Sequence, residues 1–134
     1  MAPTPAASPT RLPISASLLA RDGATAAGIP AQLARLPSNA THMALSIGGN
    51  AALQRQSLLQ ARAGSVGEAL NIPGEAVAQF ESAYRKAVDA CVVRRLPLVI
   101  CMSYNGNFAD TNYRKQVRSA LAMFNDAIIR TAVG

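Results

Sequence analysis

The sequence predicts a three-layer α/β domain, and three observations support this fold class. Apolar runs typical of buried strands alternate with segments that carry apolar residues at intervals of three and four, which indicate helices. Strands that are separated by helices favour right-handed parallel crossovers. The chain has 134 residues, half of them hydrophobic, which is enough for one domain with a core and too few for two. We expect about three strands and therefore an incomplete sheet.

The chain divides into a short leader and one domain. Residues 1–17 are rich in Pro, Ala, Ser and Thr, a composition that predicts a disordered or non-native segment. Residues 18–134 are predicted to form the α/β domain, with Leu18–Ala20 as its first short strand. Thr25 is predicted to cap a helix with one apolar face. That face consists of Ile29, Leu33 and Leu36.

The middle of the chain carries the second predicted strand. Ala40–Ile47 ends in an apolar run, which we expect to be buried on both faces of the sheet. Gly48 and Gly49 end this strand abruptly. Ala51–Gln60 is then predicted to be a helix, and Gly64–Gly67 interrupts the helical pattern after it.

The second half of the chain has the clearest helical pattern. Between Glu75 and Arg94 the apolar residues recur at helical spacing, and Pro73 is predicted to mark the start of the helix. The apolar stripe consists of Val77, Phe80, Tyr84, Ala87, Val88 and Cys91. Leu96–Met102 is predicted to be a buried strand, and Thr111–Val133 the last helix.

Gly48, Gly49 and Asn50 form what we call the Gly-Gly-Asn corner. It follows the carboxyl end of a predicted strand, where open α/β sheets bind their ligands. The glycines allow the backbone to turn sharply and approach a bound group, and Asn50 offers an amide donor. The spacing leaves two interpretations open. One is an oxyanion-binding corner, and the other is a strand-to-helix turn with Asn50 as the helix N-cap.

Several segments together resemble a known family. Asp22–Thr25, and Ala40–His42 leading into Ser46–Asn50, are similar to the central part of the SGNH (GDSL-type) hydrolases. Leu98–Tyr104 and Phe124–Asp126 look like that family too, so the resemblance runs from about residue 18 to the last residue. It implies a flavodoxin-like parallel sheet with flanking helices. It also implies acyl hydrolysis of the kind performed by serine esterases and lipases.

The resemblance implies part of an oxyanion hole and no catalytic triad. Gly23 would supply a backbone donor and Asn50 a side-chain amide, with Gly48 and Gly49 supporting the loop. Ala51 stands where the family has an aspartate. The Gly-Asp-Ser block with the nucleophile and the Asp-x-x-His block have no counterpart here. The chain is therefore predicted to be a central fragment of an ester hydrolase, inactive by itself, or alternatively a non-catalytic module that binds a small anion or acyl group.

The residues themselves also predict no catalytic centre. His42, the single histidine, lies at the entrance of the second strand, some five residues before the Gly-Gly-Asn corner, and a strand rises about 3.3 Å per residue. It should therefore lie far from Asn50. Ser46 lies within the strand, and Ser103 follows the last strand without a histidine in reach. Asp110 is predicted to start the last helix.

Composition limits the cofactors and partners. The two cysteines, Cys91 and Cys101, form no Cys-x-x-Cys pair, so we expect neither a zinc site nor a cofactor, and whether the two thiols pair stays open. The net charge of +6 is scattered and Trp is absent, so a nucleic-acid platform is not expected, although a basic interaction protein remains an alternative.

No signal peptide or membrane span is predicted, which makes the cytoplasm the default location. The expected ligand is a small ester or acyl compound. A sheet with so few strands has an unpaired edge, and such an edge favours self-association.

Overall fold

A computed structural model describes residues 14–134. Most of the predicted leader, residues 1–13, lies outside this range, and residues 14–17 belong to no helix or strand. The elements in chain order are a 3₁₀ helix at Ala26–Gly28, α1 at Ile29–Leu33, β1 at Met43–Ser46, α2 at Gly49–Leu53, a second 3₁₀ helix at Gln56–Gln60, α3 at Val66–Val92, β2 at Leu98–Cys101 and α4 at Thr111–Val133.

The two strands pair in parallel, with Met43 opposite Leu98 and Ser46 opposite Cys101. Since α3 lies in the connection between them, the chain forms a mixed α/β fold around a small parallel sheet, as predicted at this level. Parallel pairing requires such a long crossover because a tight hairpin would reverse the direction of the chain. The carboxyl ends of both strands consequently meet at one edge of the sheet.

The predicted first strand, Leu18–Ala20, is wrong. These residues belong to no strand, and the sheet within residues 14–134 has two strands rather than about three. The backbone carbonyl of Leu19 accepts a hydrogen bond from Arg35 Nη2 at 2.8 Å. The side chain of Arg35 therefore supplies the hydrogen bond that this carbonyl would accept from a neighbouring strand in a sheet.

The sheet buries one face only, which corrects the prediction of strands buried on both faces. Leu45 is buried and Ile100 is half-buried against the helices. The alternate residues Ala44, Ser46 and Val99 are exposed, as is Cys101. Side chains alternate between the two faces of a strand, so this pattern gives the sheet one packed face and one open face.

Helix α3 begins nine residues earlier than predicted, at Val66 instead of Glu75. Ser65 Oγ accepts the backbone N–H of Glu68, whose carboxylate in turn accepts the N–H of Gly64. These two bonds satisfy free donors at the helix start. Pro73 therefore lies inside the helix, where its missing N–H removes one backbone bond without ending the helix.

The core lies between α3, α4 and the packed face of the sheet. The predicted stripe of α3 is buried in full, and Phe80 contacts both Tyr84 and Phe124, with ring centroids 5.3 Å and 5.2 Å apart. Helix α4 has the predicted bounds. Asp110 caps it by accepting the backbone N–H of Tyr113 at 2.8 Å, which confirms its predicted position at the start of this helix.

Candidate functional site

The Gly-Gly-Asn corner joins the carboxyl end of β1 to α2. Gly48 has φ = 125°, a conformation that L side chains rarely adopt, and it is the N-cap of α2. A Cβ atom on Gly48 would lie 3.0 Å from Phe80 Cζ and 3.4 Å from Ile128 Cδ1. Two features therefore require glycine at this position: the positive φ of the turn, and the core side chains that leave little room for a Cβ atom.

Asn50 links the corner to the loop that contains Gly23. Its Nδ2 atom donates to the backbone carbonyl of Ala24 at 3.1 Å. Gly23 itself has φ = 77°, is exposed and lies in a turn closed by a bond from Ala24 N to Arg21 O. The structure thus brings together the two segments that the sequence singles out as donors, although they are 26 residues apart.

The amide of Asn50 keeps unused hydrogen-bonding capacity. A side-chain amide carries two N–H groups and an oxygen with two lone pairs. Within residues 14–134 the Ala24 carbonyl is its only partner, so one N–H and Oδ1 are available to a ligand. Asn50 lies inside the first turn of α2 and is not its N-cap, so the alternative interpretation of Asn50 as a cap is wrong.

Ser103 lies beside the corner because the parallel register brings the ends of the two strands together. Its Oγ is 3.8 Å from the position that a Cβ on Gly49 would take. Its backbone is held by Asn125, whose Oδ1 accepts the Ser103 N–H at 2.9 Å and whose Nδ2 donates to the Ser103 carbonyl at 3.0 Å. This clamp fixes the loop after β2 against α4.

The sequence did not reveal the role of Asn125. The segment Phe124–Asp126 was noted for its resemblance to the family, but no position in it was predicted to act at the site. A polar residue next to the buried stripe of α4 was the available signal, because a half-buried amide needs hydrogen-bond partners.

The described residues supply no base for Ser103. His42 is exposed, precedes β1 at the opposite end of the strand and hydrogen-bonds to Thr41 Oγ1. Ser46 is exposed on the open face of the sheet. Asp126 pairs with Arg130 on the surface of α4. None of these groups forms the hydrogen-bonded nucleophile and base that acyl transfer requires.

The main cavity, about 630 Å³ in volume, opens beside the corner. Its polar lining includes Asn50, Ser103 and Gln56, and the hydroxyl of Tyr113 donates to Gln56 Oε1 at 2.7 Å across its wall. Its apolar lining includes Leu18, Met43, Leu53, Leu58, Leu59 and Phe108. A mostly apolar cavity with a few polar groups at one place is the usual form of a small-molecule site.

The charged lining of this cavity is entirely basic. Arg21 and Arg55 line it together with His42, and none of the described lining residues is an aspartate or glutamate. Arg55 is half-buried and its Nη1 donates to the backbone carbonyl of Ala51 at 3.1 Å. This bond holds the Arg55 guanidinium against the backbone of α2.

Metal and membrane functions find no support in the described part of the chain. Residues 14–134 contain no group of three or more His, Cys, Asp or Glu side chains arranged to hold a metal ion. Within the same range, the helices are too short or too polar to cross a membrane.

Comparison with models of protein families, with curated proteins and with solved structures gave no match to this chain. The relationship to the SGNH hydrolases therefore remains a prediction from the sequence, and the function has to be argued from the geometry of the site.

Proposed function

We propose that this chain is a non-catalytic, SGNH-like module that binds an acyl group in the main cavity, with its carbonyl oxygen at Asn50. One observation carries the proposal: the hydrogen bond from Asn50 to Ala24 joins the corner to the Gly23 loop beside the cavity. A carbonyl oxygen placed there can accept the second N–H of Asn50. The apolar part of the ligand then packs against the leucines of the lining.

The proposal also includes the fold that the resemblance to the family implies. Its three-layer, flavodoxin-like arrangement would place further helices on the open face of the sheet, where Val99 and Cys101 are exposed. Turnover is not part of the proposal, because Ser103 has no histidine partner among the described residues. An oxyanion donor without an activated nucleophile binds a carbonyl group but does not cleave the ester.

A calorimetric titration with hexanamide, a neutral acyl compound, tests the binding. We expect saturable binding that Asn50→Ala weakens about five- to tenfold, since one hydrogen bond contributes about 1 kcal/mol. Asn39→Ala, in an exposed turn away from the cavity, is the matched control and should bind as the parent chain does. No binding by the parent chain, or equal binding by Asn50→Ala, would refute the proposal.

Hydrolysis of p-nitrophenyl butyrate tests the second half of the proposal. We expect a rate indistinguishable from that of the ester in buffer. A rapid hydrolysis that Ser103→Ala or Asn50→Ala abolishes would make the chain an active ester hydrolase, contrary to the proposal.

We also propose self-association through the sheet. Within residues 14–134 each of the two strands pairs on one side only, so each presents an edge of unpaired backbone groups there. Sedimentation velocity at increasing protein concentration should show a growing dimer fraction. Replacing Val99, which is exposed on the open face near this edge, by lysine should reduce that fraction, and a chain that stays monomeric at all concentrations contradicts the idea.

A further inference from the structure

Several apolar side chains that line the main cavity are exposed within residues 14–134. Leu18 is 87% exposed, Leu53 49% and Leu58 36%, and all three line the cavity. Tyr104, which also lines it, is 90% exposed. Apolar surface around a concave site favours a ligand that removes it from water. The cavity therefore suits a ligand with a long apolar part, longer than a short acyl group needs.

The positive charge of the cavity lining favours one kind of head group on that ligand. Arg21 and Arg55 line it, and none of the described lining residues carries a carboxylate. The chain as a whole carries a formal charge of +6. A cleft lined by one sign of charge attracts ligands of the opposite sign. An anionic head group is thus favoured over a neutral or cationic one.

Arg55 and Asn50 both line the cavity, and both keep donors that no described residue engages. Only Nη1 of Arg55 is engaged, with the carbonyl of Ala51, and within residues 14–134 its Nε and Nη2 atoms have no partner. Asn50, the residue before Ala51, keeps one free N–H. The Nε–Nη2 fork of an arginine matches the two oxygens of a carboxylate.

We propose that the main cavity binds a single-chain fatty-acid carboxylate, with the carboxylate on Arg55 and the alkyl chain along Leu53 and Leu58. This inference rests on the proposed function and deepens it, because it names the ligand of the same site. It differs in requiring a negative charge on the ligand and a long chain. The cavity volume of about 630 Å³ is in the range of small-molecule pockets.

Titration of the full chain with dodecanoate, below its critical micelle concentration, tests the proposal. We expect saturable binding with one site per chain, and at least tenfold weaker binding of 1-dodecanol, which has the same chain and no charge. Decanoate and octanoate should bind progressively more weakly, by about two- to fourfold for each methylene removed. Equal affinity for dodecanoate and 1-dodecanol would overturn the role of the charge.

Substitutions at Arg55 locate the head group. Arg55→Gln removes the charge of the head-group site, so it should weaken dodecanoate binding at least tenfold. Arg55→Lys keeps the charge and should retain part of the affinity. Arg62→Gln removes an exposed arginine outside the cavity and is the matched control. Unchanged dodecanoate binding by Arg55→Gln would refute the site.

The two proposals fail differently. If hexanamide binds but dodecanoate binds no more tightly, the acyl-binding function stands and the fatty-acid inference is wrong. If neither compound binds, both are wrong. Thermal unfolding of every variant without ligand checks that a loss of binding reflects the site and not the fold.

Discussion

Single residues in this protein are constrained most at the Gly-Gly-Asn corner. Gly48 turns the chain at a positive φ and at the same time lies against the aromatic ring of Phe80. A side chain at this position meets both a strained backbone and a filled core. The shape of the corner therefore depends on Gly48, and the exposed Gly49 and the half-buried Asn50 remain available to a ligand.

Gly48→Ala should lower the free energy of unfolding by about 2–4 kcal/mol, the combined cost of the positive φ and of overpacking against Phe80. Urea denaturation followed by circular dichroism measures the change. The control is Gly74→Ala, inside α3, where a Cβ would meet nothing within 4 Å. This substitution should stabilise the helix by about 0.5–1 kcal/mol. A loss at Gly74 equal to that at Gly48 would contradict the argument.

Tyr84 is a second constrained residue, buried completely in the core with a hydroxyl that has no hydrogen-bond partner among the described residues. Burial disfavours the charged phenolate and raises the pKa of Tyr84 to about 12 from an ordinary value of 10. An unpaired buried hydroxyl costs about 1–3 kcal/mol. The hydroxyl of Tyr84 therefore lowers the stability of an otherwise well-packed core.

Tyr84→Phe should leave the chain as stable at pH 7, or more stable by up to about 2 kcal/mol. The folded state holds the phenol proton more tightly than the unfolded state, so the parent chain loses stability as pH rises from about 10 to 12. At pH 11 this loss is roughly 1 kcal/mol, and the variant should lack it. Tyr104→Phe, at an exposed tyrosine, is the control and should behave as the parent chain does. A destabilised Tyr84→Phe variant at pH 7 would indicate a partner for the hydroxyl.

At the scale of elements, α3 and α4 form the main packed pair, and an ion pair joins their surfaces. Glu81 of α3 accepts hydrogen bonds from Arg130 of α4 at 2.7 Å and from Arg85 at 2.9 Å. Arg130 also pairs with Asp126. The hydrogen bond from Arg130, followed by that from Arg85, lowers the pKa of Glu81 below its ordinary value. Only the pair with Arg130 connects the two helices.

Glu81→Gln should slightly lower the Tm at neutral pH, because the variant loses the charge that both arginines contact. The folded state has the lower pKa, so this stabilisation is present above the ordinary glutamate pKa and is lost as pH falls through the folded value. Thermal unfolding between pH 7 and pH 3 should therefore show the parent chain and the variant converging at the acidic end. Glu75→Gln, at an exposed carboxylate on the same helix without an ion pair in the described structure, is the control. A difference that persists at pH 3 would exclude the ion pair as its cause.

The sequence predicted helices well where local signals agreed. The bounds of α4 follow from the Asp110 cap and the apolar stripe, and both are local. The predicted start of α3 is wrong, because Pro73 lies inside the helix and the bonds of Ser65 and Glu68 to neighbouring backbone groups begin it. Where two local signals compete, the sequence alone does not show which one the folded chain uses.

At the scale of the whole molecule, the sequence predicted the parallel sheet but not its extent. The alternation of helices and strands indicated parallel pairing, whereas Leu18–Ala20 forms no strand and the Leu19 carbonyl bonds to Arg35, 16 residues along the chain. The site shows the same limit. Asn50 was identified from its local context, but its bond to Ala24 and the clamp of Asn125 on Ser103 are contacts between distant segments. Sequence spacing alone does not specify such contacts.

The pairing of β1 with β2 has a consequence for the order of events during synthesis. On the ribosome, β1 emerges long before its partner, because all of α3 must be made first. Until then its apolar residues have no sheet to join, and the nascent chain presents them to chaperones or to other chains. Strand pairing therefore waits until β2 has been made, and α4, which follows β2 in the chain, completes the core afterwards.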